Sequence, residues 1–430
     1  HGGANVNDTH YKKMNREINM KSFLKTAVTA VALGALPTLS LAGGDLVISS
    51  NQSDATPAAA VADLVEKFKA ANPDINVELN TIEHEAYKTA IRNFLVADTG
   101  PDVGFWFAGN RMAGFVNDGL FGDISSVWNN AGLESGMAST MPSVTFGGKQ
   151  YGLPYAYYQW GLYVRSDIMK ANGISEFNTY DELLAACTSL GSKGVSGVAI
   201  GTKYLWTAAG WFDYLNMRTN GLDYHIDLML GKVKYTDDGV VNTMKNWKKA
   251  VDAGCFMDNH QNYSWQEAQP ALINGEAAMY LMGNFLVPNL PQETQDNLDY
   301  WQFPDINAGM ARGEDAPTDL LFMPANAVNK DNAKKFLEFA AQPENIEAIA
   351  GAIQNLPTHK DAAPLDDRFL KKGAKVLAAS KTAQFYDRDT TPEMASAGMQ
   401  GFQDFMLNPD DMMDILEEIE EERTRIFGAL

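Results

Sequence analysis

The sequence predicts an α/β protein built as two lobes, and three observations carry that reading. The chain has 430 residues, and at about 150 residues per domain that length makes two or three domains. Short β-branched apolar runs alternate with segments whose apolar residues recur at helical spacing, the signature of βαβ units under a mainly parallel sheet. The alternation breaks at Pro154 and then starts again.

Asp45 to Ser50 reads as the first strand, and the polar turn NQSDATP leads into a helix whose Val61, Leu64, Val65 and Phe68 share one face. Ile75 to Leu79 is a second strand after the Asn72-Pro73 break. Tyr87, Ile91, Phe94 and Leu95 mark a second helix, and a buried strand starts at Val103. Beyond Pro154, residues 162–164 and 197–202 read as strands, Thr179 caps a helix from Tyr180, and Val240 to Ala253 is helical. Near the end, Asn408 to Asp411 open a helix carrying Met412, Ile415, Leu416, Ile419 and Ile426 on one face. The acidic run Glu417 to Glu422 is its solvated side.

Met20 opens a secretory signal. Lys21 and Lys25 form its basic part, Ala27 to Leu36 its apolar run, and Ser40 and Ala42 its small-residue cleavage site. The apolar run is about half of the ~20 residues a membrane span needs. Residues 1–19 have no targeting character and read as a non-native or misassigned extension, 20–42 as the signal peptide, and the remainder as an exported protein. With 54 acidic against 34 basic residues the formal charge is −20, which disfavours nucleic acid and anionic lipid because both need clustered cations. Cys187 and Cys255 lack a CxxC spacing, so a single disulfide and two buried thiols are both open.

The exported part has no GxSxG, GxGxxG, GxxxxGK[ST] or HExxH pattern, and His84, His225, His260 and His359 lack metal-ligand spacing. The DRD triplet at 387–389 lacks the glycine and distant Glu of a calcium loop. No cofactor or metal is expected. Aromatics instead gather beside polar residues where strands end: Phe105, Trp106 and Phe107 with Asn110 and Arg111, then Tyr155, Tyr157, Tyr158 and Trp160 with Gln159. Trp206, Trp211, Trp265 and Phe285 continue the theme. Sugars call for this mixture, since their C–H faces pack on rings while each hydroxyl needs a polar partner. Asn51 and Gln52 join the set at the mouth of a parallel sheet. His84 opens a helix beside Glu85, and Asp319 precedes a buried strand.

The segments VEKFKAANPDINVE, TGPDVGFW, LPYAYYQWGLYVRSDI, NTYDEL, LINGEAAMYLMGNF and LPTHKDA, in that order, resemble extracellular solute-binding proteins of family 1, the maltose-binding-protein type that serves ABC sugar importers. The resemblance implies a two-lobed, type II periplasmic binding protein whose chain crosses a hinge three times and closes on a carbohydrate. It places Asn51 at a ligand-contacting asparagine and Trp106, Asn110 and Arg111 at a Trp, an acid and an Arg of the cleft. It puts Trp211 where the family has a stacking tyrosine and Phe285 where it has a stacking tryptophan, next to Gly283 and Asn284 of the glycine turn. Ser49 stands where a maltose-binding tryptophan would be.

The expected ligand contacts are thus Asn51, Gln52, His84, Trp106, Asn110, Arg111, Tyr157, Tyr158, Trp160, Trp211, Trp265, Gly283, Asn284, Phe285 and Asp319. The expected lobes are residues 43–156 with 304–340, and 157–303 with 341–430. The function read from these residues is a monomeric periplasmic protein that captures a mono- or oligosaccharide or a glycoside and hands it to permease subunits, without catalysis. A secreted carbohydrate-active enzyme would instead need two carboxylates flanking the bond it breaks. The same clamp for a polyamine or ferric iron would need several converging acids or tyrosinates.

Overall fold

The computed structural model describes residues 44–430. The expected extension and signal peptide lie outside the described residues.

Two mixed sheets, each with its own apolar core, organise the chain into two α/β lobes. The first sheet runs Leu356–Pro357, Leu153–Tyr157, Thr318–Phe322, Val103–Phe107, Gly44–Ser50, Ile75–Thr81. Only the strands at one side match the expected parallel sheet: Gly44–Ser50 lies parallel to both Ile75–Thr81 and Val103–Phe107. Thr318–Phe322 is antiparallel to both its neighbours. It brings the chain back from the second lobe, so it runs against the strands that point outward. The second sheet, ordered Leu298–Trp301, Trp160–Arg165, Ala277–Gly283, Ser196–Val198, is likewise mixed.

The local signals act where they were expected. On Ala55–Ala71 the residues Val61, Leu64, Val65 and Phe68 are buried. Thr179 and Glu182 form a reciprocal capping box on Tyr180–Gly191, which satisfies two otherwise orphaned N–H groups. Asn408 makes no side-chain cap, because Pro409–Asp411 forms a short 3-10 turn before helix Met412–Phe427 begins. Cys187 and Cys255 are joined as a disulfide inside the second lobe.

Core membership shifts two of the expected crossings. Residues 304–316 stay with the second lobe: Gly313–Asp315 pairs with Lys381–Ala383, and the buried Arg218 guanidinium holds Gly313 O and Glu314. Residues 341–362 belong to the first, since Ile346 and Ile349 of helix Pro343–Ala352 fill its core and Leu356–Pro357 extends its sheet. An apolar helix face goes to whichever core it can bury against, which chain position does not reveal.

Candidate functional site

Strand ends from both lobes converge on one cavity of about 110 Å³. On the first-lobe side, Ser50 ends a strand and the following turn delivers Gln52, whose amide donates to the Tyr155 hydroxyl at 3.0 Å. The turn also carries Ser53, whose hydroxyl accepts the His84 backbone N–H at 3.1 Å, so the helix His84–Val96 starts at the cavity. His84 and Lys88, one helical turn apart, face inward with Phe107 and Asp319. His84 Nδ1 lies 3.4 Å from the Asn51 carbonyl. Burial, with Lys88, Arg388 and Arg111 nearby, holds the His84 imidazole well below its ordinary pKa and therefore neutral. An Nδ1–H aimed at a carbonyl leaves Nε2 as an acceptor.

The second lobe supplies an aromatic wall. Trp160 stacks on Phe385 with centroids 4.5 Å apart, and Trp265 meets Phe285 edge to face at 5.1 Å. Trp206 lies 6.2 Å from both Trp160 and Phe285. Gly283 sits beneath this wall, where a Cβ would stand 2.6 Å from the Phe285 ring and 2.8 Å from Tyr158. Only glycine fits there. Phe285 can then turn into the cavity from the end of strand Ala277–Gly283.

Between wall and polar side stands Arg388, on the short helix Tyr386–Asp389. Its guanidinium lies 4.2 Å from the Phe107 ring centroid. It donates to Asp319 at 3.0 Å, to the Tyr158 hydroxyl at 3.0 Å and to Thr318 O at 3.3 Å. Desolvation raises the Asp319 pKa and Arg388 opposes that shift. Asp387 accepts from Arg111 at 3.2 Å. The two cations are thus already matched by carboxylates, and the guanidinium fork positions rather than simply attracts.

Of the expected contacts, the structure brings Gln52, His84, Tyr158, Trp160, Trp265, Phe285 and Asp319 to the cavity lining. It does not bring the others. Trp211 is fully buried, edge-on to Phe256 at 4.9 Å and Phe303 at 5.5 Å, so it is core of the second lobe. Trp106 fills the first core under the Arg111 guanidinium, 5.0 Å from its ring centroid. Arg111 crosses between lobes to Asp387, and Asn110 does so to the Asp389 carbonyl at 2.7 Å. Asn284 accepts from Tyr163 at 2.7 Å and from Gln159 at 3.0 Å, and donates to Gln354 O, which makes it a buried joint. Tyr157 pairs with Thr318 and Leu356 in the sheet. Asn51 is buried beside the cavity, with neither side-chain polar atom bonded among the described residues.

The lining also contains Asp54, Lys88, Trp206, Phe385, Asp387 and Arg388, which the sequence reading left out of the contact set. Asp387 and Arg388 lie in the DRD triplet, weighed only as a calcium loop. A charged triplet directly after two aromatic residues in FYDRDT could have flagged buried ion pairs. No group of three or more His, Cys, Asp or Glu that could hold a metal occurs among the described residues.

A family model of bacterial extracellular solute-binding proteins matches residues 51–347. An uncharacterized ABC transporter extracellular-binding protein of Pyrococcus horikoshii is 26% identical over 328 residues, covering 74% of this chain and 73% of that protein. Among solved structures, the bacterial solute receptor AcbH, described as exclusively preferring β-D-galactopyranose, superposes with a TM-score of 0.84 at 29% identity over 90% of this chain and 100% of its own. A structure from xylan utilization by Caldanaerobius polysaccharolyticus gives 0.81 at 21% identity, covering 88% and 99%, and shares the fold.

Proposed function

This chain belongs to the family of bacterial extracellular solute-binding proteins, and we propose that it captures a neutral carbohydrate in the cavity between its lobes and delivers it to ABC-transporter permease subunits. The observation that carries the reading is the pairing, in one cavity, of an aromatic wall with hydrogen-bonding groups on the facing lobe. Pyranose C–H faces suit the rings of Trp160, Trp206, Trp265 and Phe285, while hydroxyls suit Gln52, His84 Nε2 and the Asp319 carboxylate. The cavity cations are met by acids, Lys88 by Glu85 at 3.2 Å and Arg388 by Asp319 at 3.0 Å. That balance favours a neutral sugar over a sugar acid. The likeness to AcbH adds weight to a single pyranose as the solute.

Capture works through closure. A solute touching both lobes stabilises the closed arrangement by its differential affinity for it. The protein acts as a monomer in the periplasm, reached through the secretory signal read at residues 20–42. A glycosidase would need a free acid and a second carboxylate across the scissile bond, whereas Asp319 and Asp387 are each held by an arginine and Asp54 accepts from Gln266 across the cleft.

A thermal-shift and calorimetric panel of D-galactose, D-glucose, D-xylose, their disaccharides, galacturonate and a polyamine tests this. A neutral sugar at 100 times its Kd should stabilise the protein by about 2.7 kcal/mol, with no product formed on incubation with glycosides. Binding of only the polyamine or the sugar acid, or release of product from a glycoside, would defeat it.

A further inference from the structure

We propose that Trp206 is a positioning residue that bolts the lobes shut, its indole N–H held by Glu85 across the cleft, and so sets how long the solute stays. The inference rests on the solute-capture reading and gives Trp206, whose ring lines the cavity, a second role through a hydrogen bond made to protein rather than to solute.

Trp206 begins helix Trp206–Asn220, whose residues from Trp206 to Arg218 are buried in the second lobe, so the indole is rooted in a rigid element. Its Nε1–H donates to Glu85 Oε1 at 3.1 Å, and Glu85 sits on helix His84–Val96 of the first lobe. The other Glu85 oxygen takes the Lys88 ammonium at 3.2 Å, and that ammonium lies 5.9 Å from the Trp206 ring centroid. One carboxylate is therefore shared by a cation on its own helix and an indole from the facing lobe. Both Lys88 and Trp206 line the cavity. A solute that touches Lys88 thereby bears on the group that orients Glu85.

The backbone before Trp206 supplies the second observation. Leu205 has φ 69° and ψ −39°, and the Trp206 N–H bonds back to Tyr204 O at 2.8 Å. That is a γ-turn at positive φ, a strained conformation for a branched residue that persists only where the surroundings over-determine it. Here the turn aims the first side chain of a buried helix out across the cleft. Nearby, Gln266 Nε2 donates to Asp54 at 3.3 Å, a second contact between the same two faces. A hydrogen bond to a carboxylate that also carries an ion pair, as Glu85 does with Lys88, is stronger than one between neutral groups.

The test compares wild type, Trp206→Phe, Glu85→Ala, their double variant and Leu205→Gly. Trp206→Phe keeps an aromatic face but removes the donor together with part of a ring that lines the cavity, so Glu85→Ala and the double variant isolate the hydrogen bond from the ring contact. Stopped-flow release of D-galactose should quicken by roughly 10-fold in each single variant, as expected for the loss of one charge-assisted hydrogen bond. Association should stay within about twofold, because affinity changes within one site fall mostly on dissociation. The double variant should release no faster than the singles, a non-additivity that a merely structural residue would not show. Leu205→Gly relaxes the strained turn and should speed release with the unfolding midpoint unchanged. Small-angle scattering of the sugar-free proteins should give a larger radius of gyration for Trp206→Phe and Glu85→Ala than for wild type. Additive effects, or wild-type release rates, would overturn the proposal. If D-galactose does not bind wild type, that sugar is excluded as the solute and scattering alone decides, with equal radii overturning the bolt.

Discussion

The first lobe presents the cavity with Gln52, Asp54, His84, Lys88 and Asp319 around one aromatic face, Phe107, whereas the second presents Tyr158, Trp160, Trp206, Trp265, Phe285 and Phe385 with the ion-pairing segment Asp387 and Arg388. Apolar contact is non-directional and scales with area, while hydrogen bonds weaken steeply when misaligned. For the carbohydrate proposed above, this division would have the aromatic lobe supply contact area and the polar lobe supply direction. The difference also shows why aromatic residues cannot be read as one class. The second lobe holds Trp211 in its core and Trp265 at its cavity, both nearly inaccessible to water.

The sharpest way to break that comparison is to truncate one aromatic of each kind. Trp211→Ala should cost about 3–5 kcal/mol of stability, because it empties a packed core, and leave the affinity of the folded fraction unchanged. Phe285→Ala should do the reverse, losing about 1–3 kcal/mol of sugar affinity with a smaller change in stability. Denaturant unfolding and calorimetric titration of the same preparations measure both. Equal affinity losses in the two variants would abolish the distinction between core and wall.

The lobes should also separate in stability when the disulfide is removed. Cys187 and Cys255 close a segment spanning 68 positions within the second lobe, and chain entropy assigns such a loop about 4 kcal/mol. The Cys187→Ser, Cys255→Ser variant should lose hydrogen-exchange protection throughout the second sheet while the first keeps its own. Uniform loss across both sheets would mean that the lobes unfold as one unit.

A smaller effect tests the polar border between them. Burial raises the Asp389 carboxyl to about 6, its Gln384 N–H and Arg388 partners opposing only part of the shift. A carboxyl raised above its unfolded value of about 3.9 favours the folded state most while protonated. Its contribution is complete below pH 4 and lost as pH rises to 6, a change of about 2–3 kcal/mol. The buried His225 and His260 are depressed to about 3 and about 4. They act oppositely, costing stability as the pH falls below 6.5, so the wild-type curve alone is a composite. Asp389→Asn cancels the histidines in the difference: its stability relative to wild type should increase between pH 4 and 6 and then level off. Urea midpoints across that range measure it, and a flat difference would place Asp389 outside the titrating set.

How far the site could be read depended on what each residue type does when buried. Phe285 and Trp265 were found because they follow strand and loop signals that end at the cavity. Asn284 and Arg111 carry the same polar character but spend it on Gln159, Tyr163 and Asp387. Arg388, singled out only as part of the DRD triplet, was not read as a cavity residue because its partners, Asp319 and Tyr158, lie 69 and 230 positions away.

By itself the sequence determined the two α/β lobes, the capping box at Thr179, the buried face of Ala55–Ala71 and the mixed aromatic and hydrogen-bonding character of the interlobe cavity. These rest on periodicity and local hydrogen bonding, which act over a few residues. Tertiary structure alone decided which tryptophans face the cavity, that Thr318–Phe322 runs against its neighbours, that residues 341–362 return to the first core, and that Glu85 meets Trp206. Each of these joins segments far apart in the chain, where an apolar or charged side chain has several partners of equal chemistry and only the packed core selects among them.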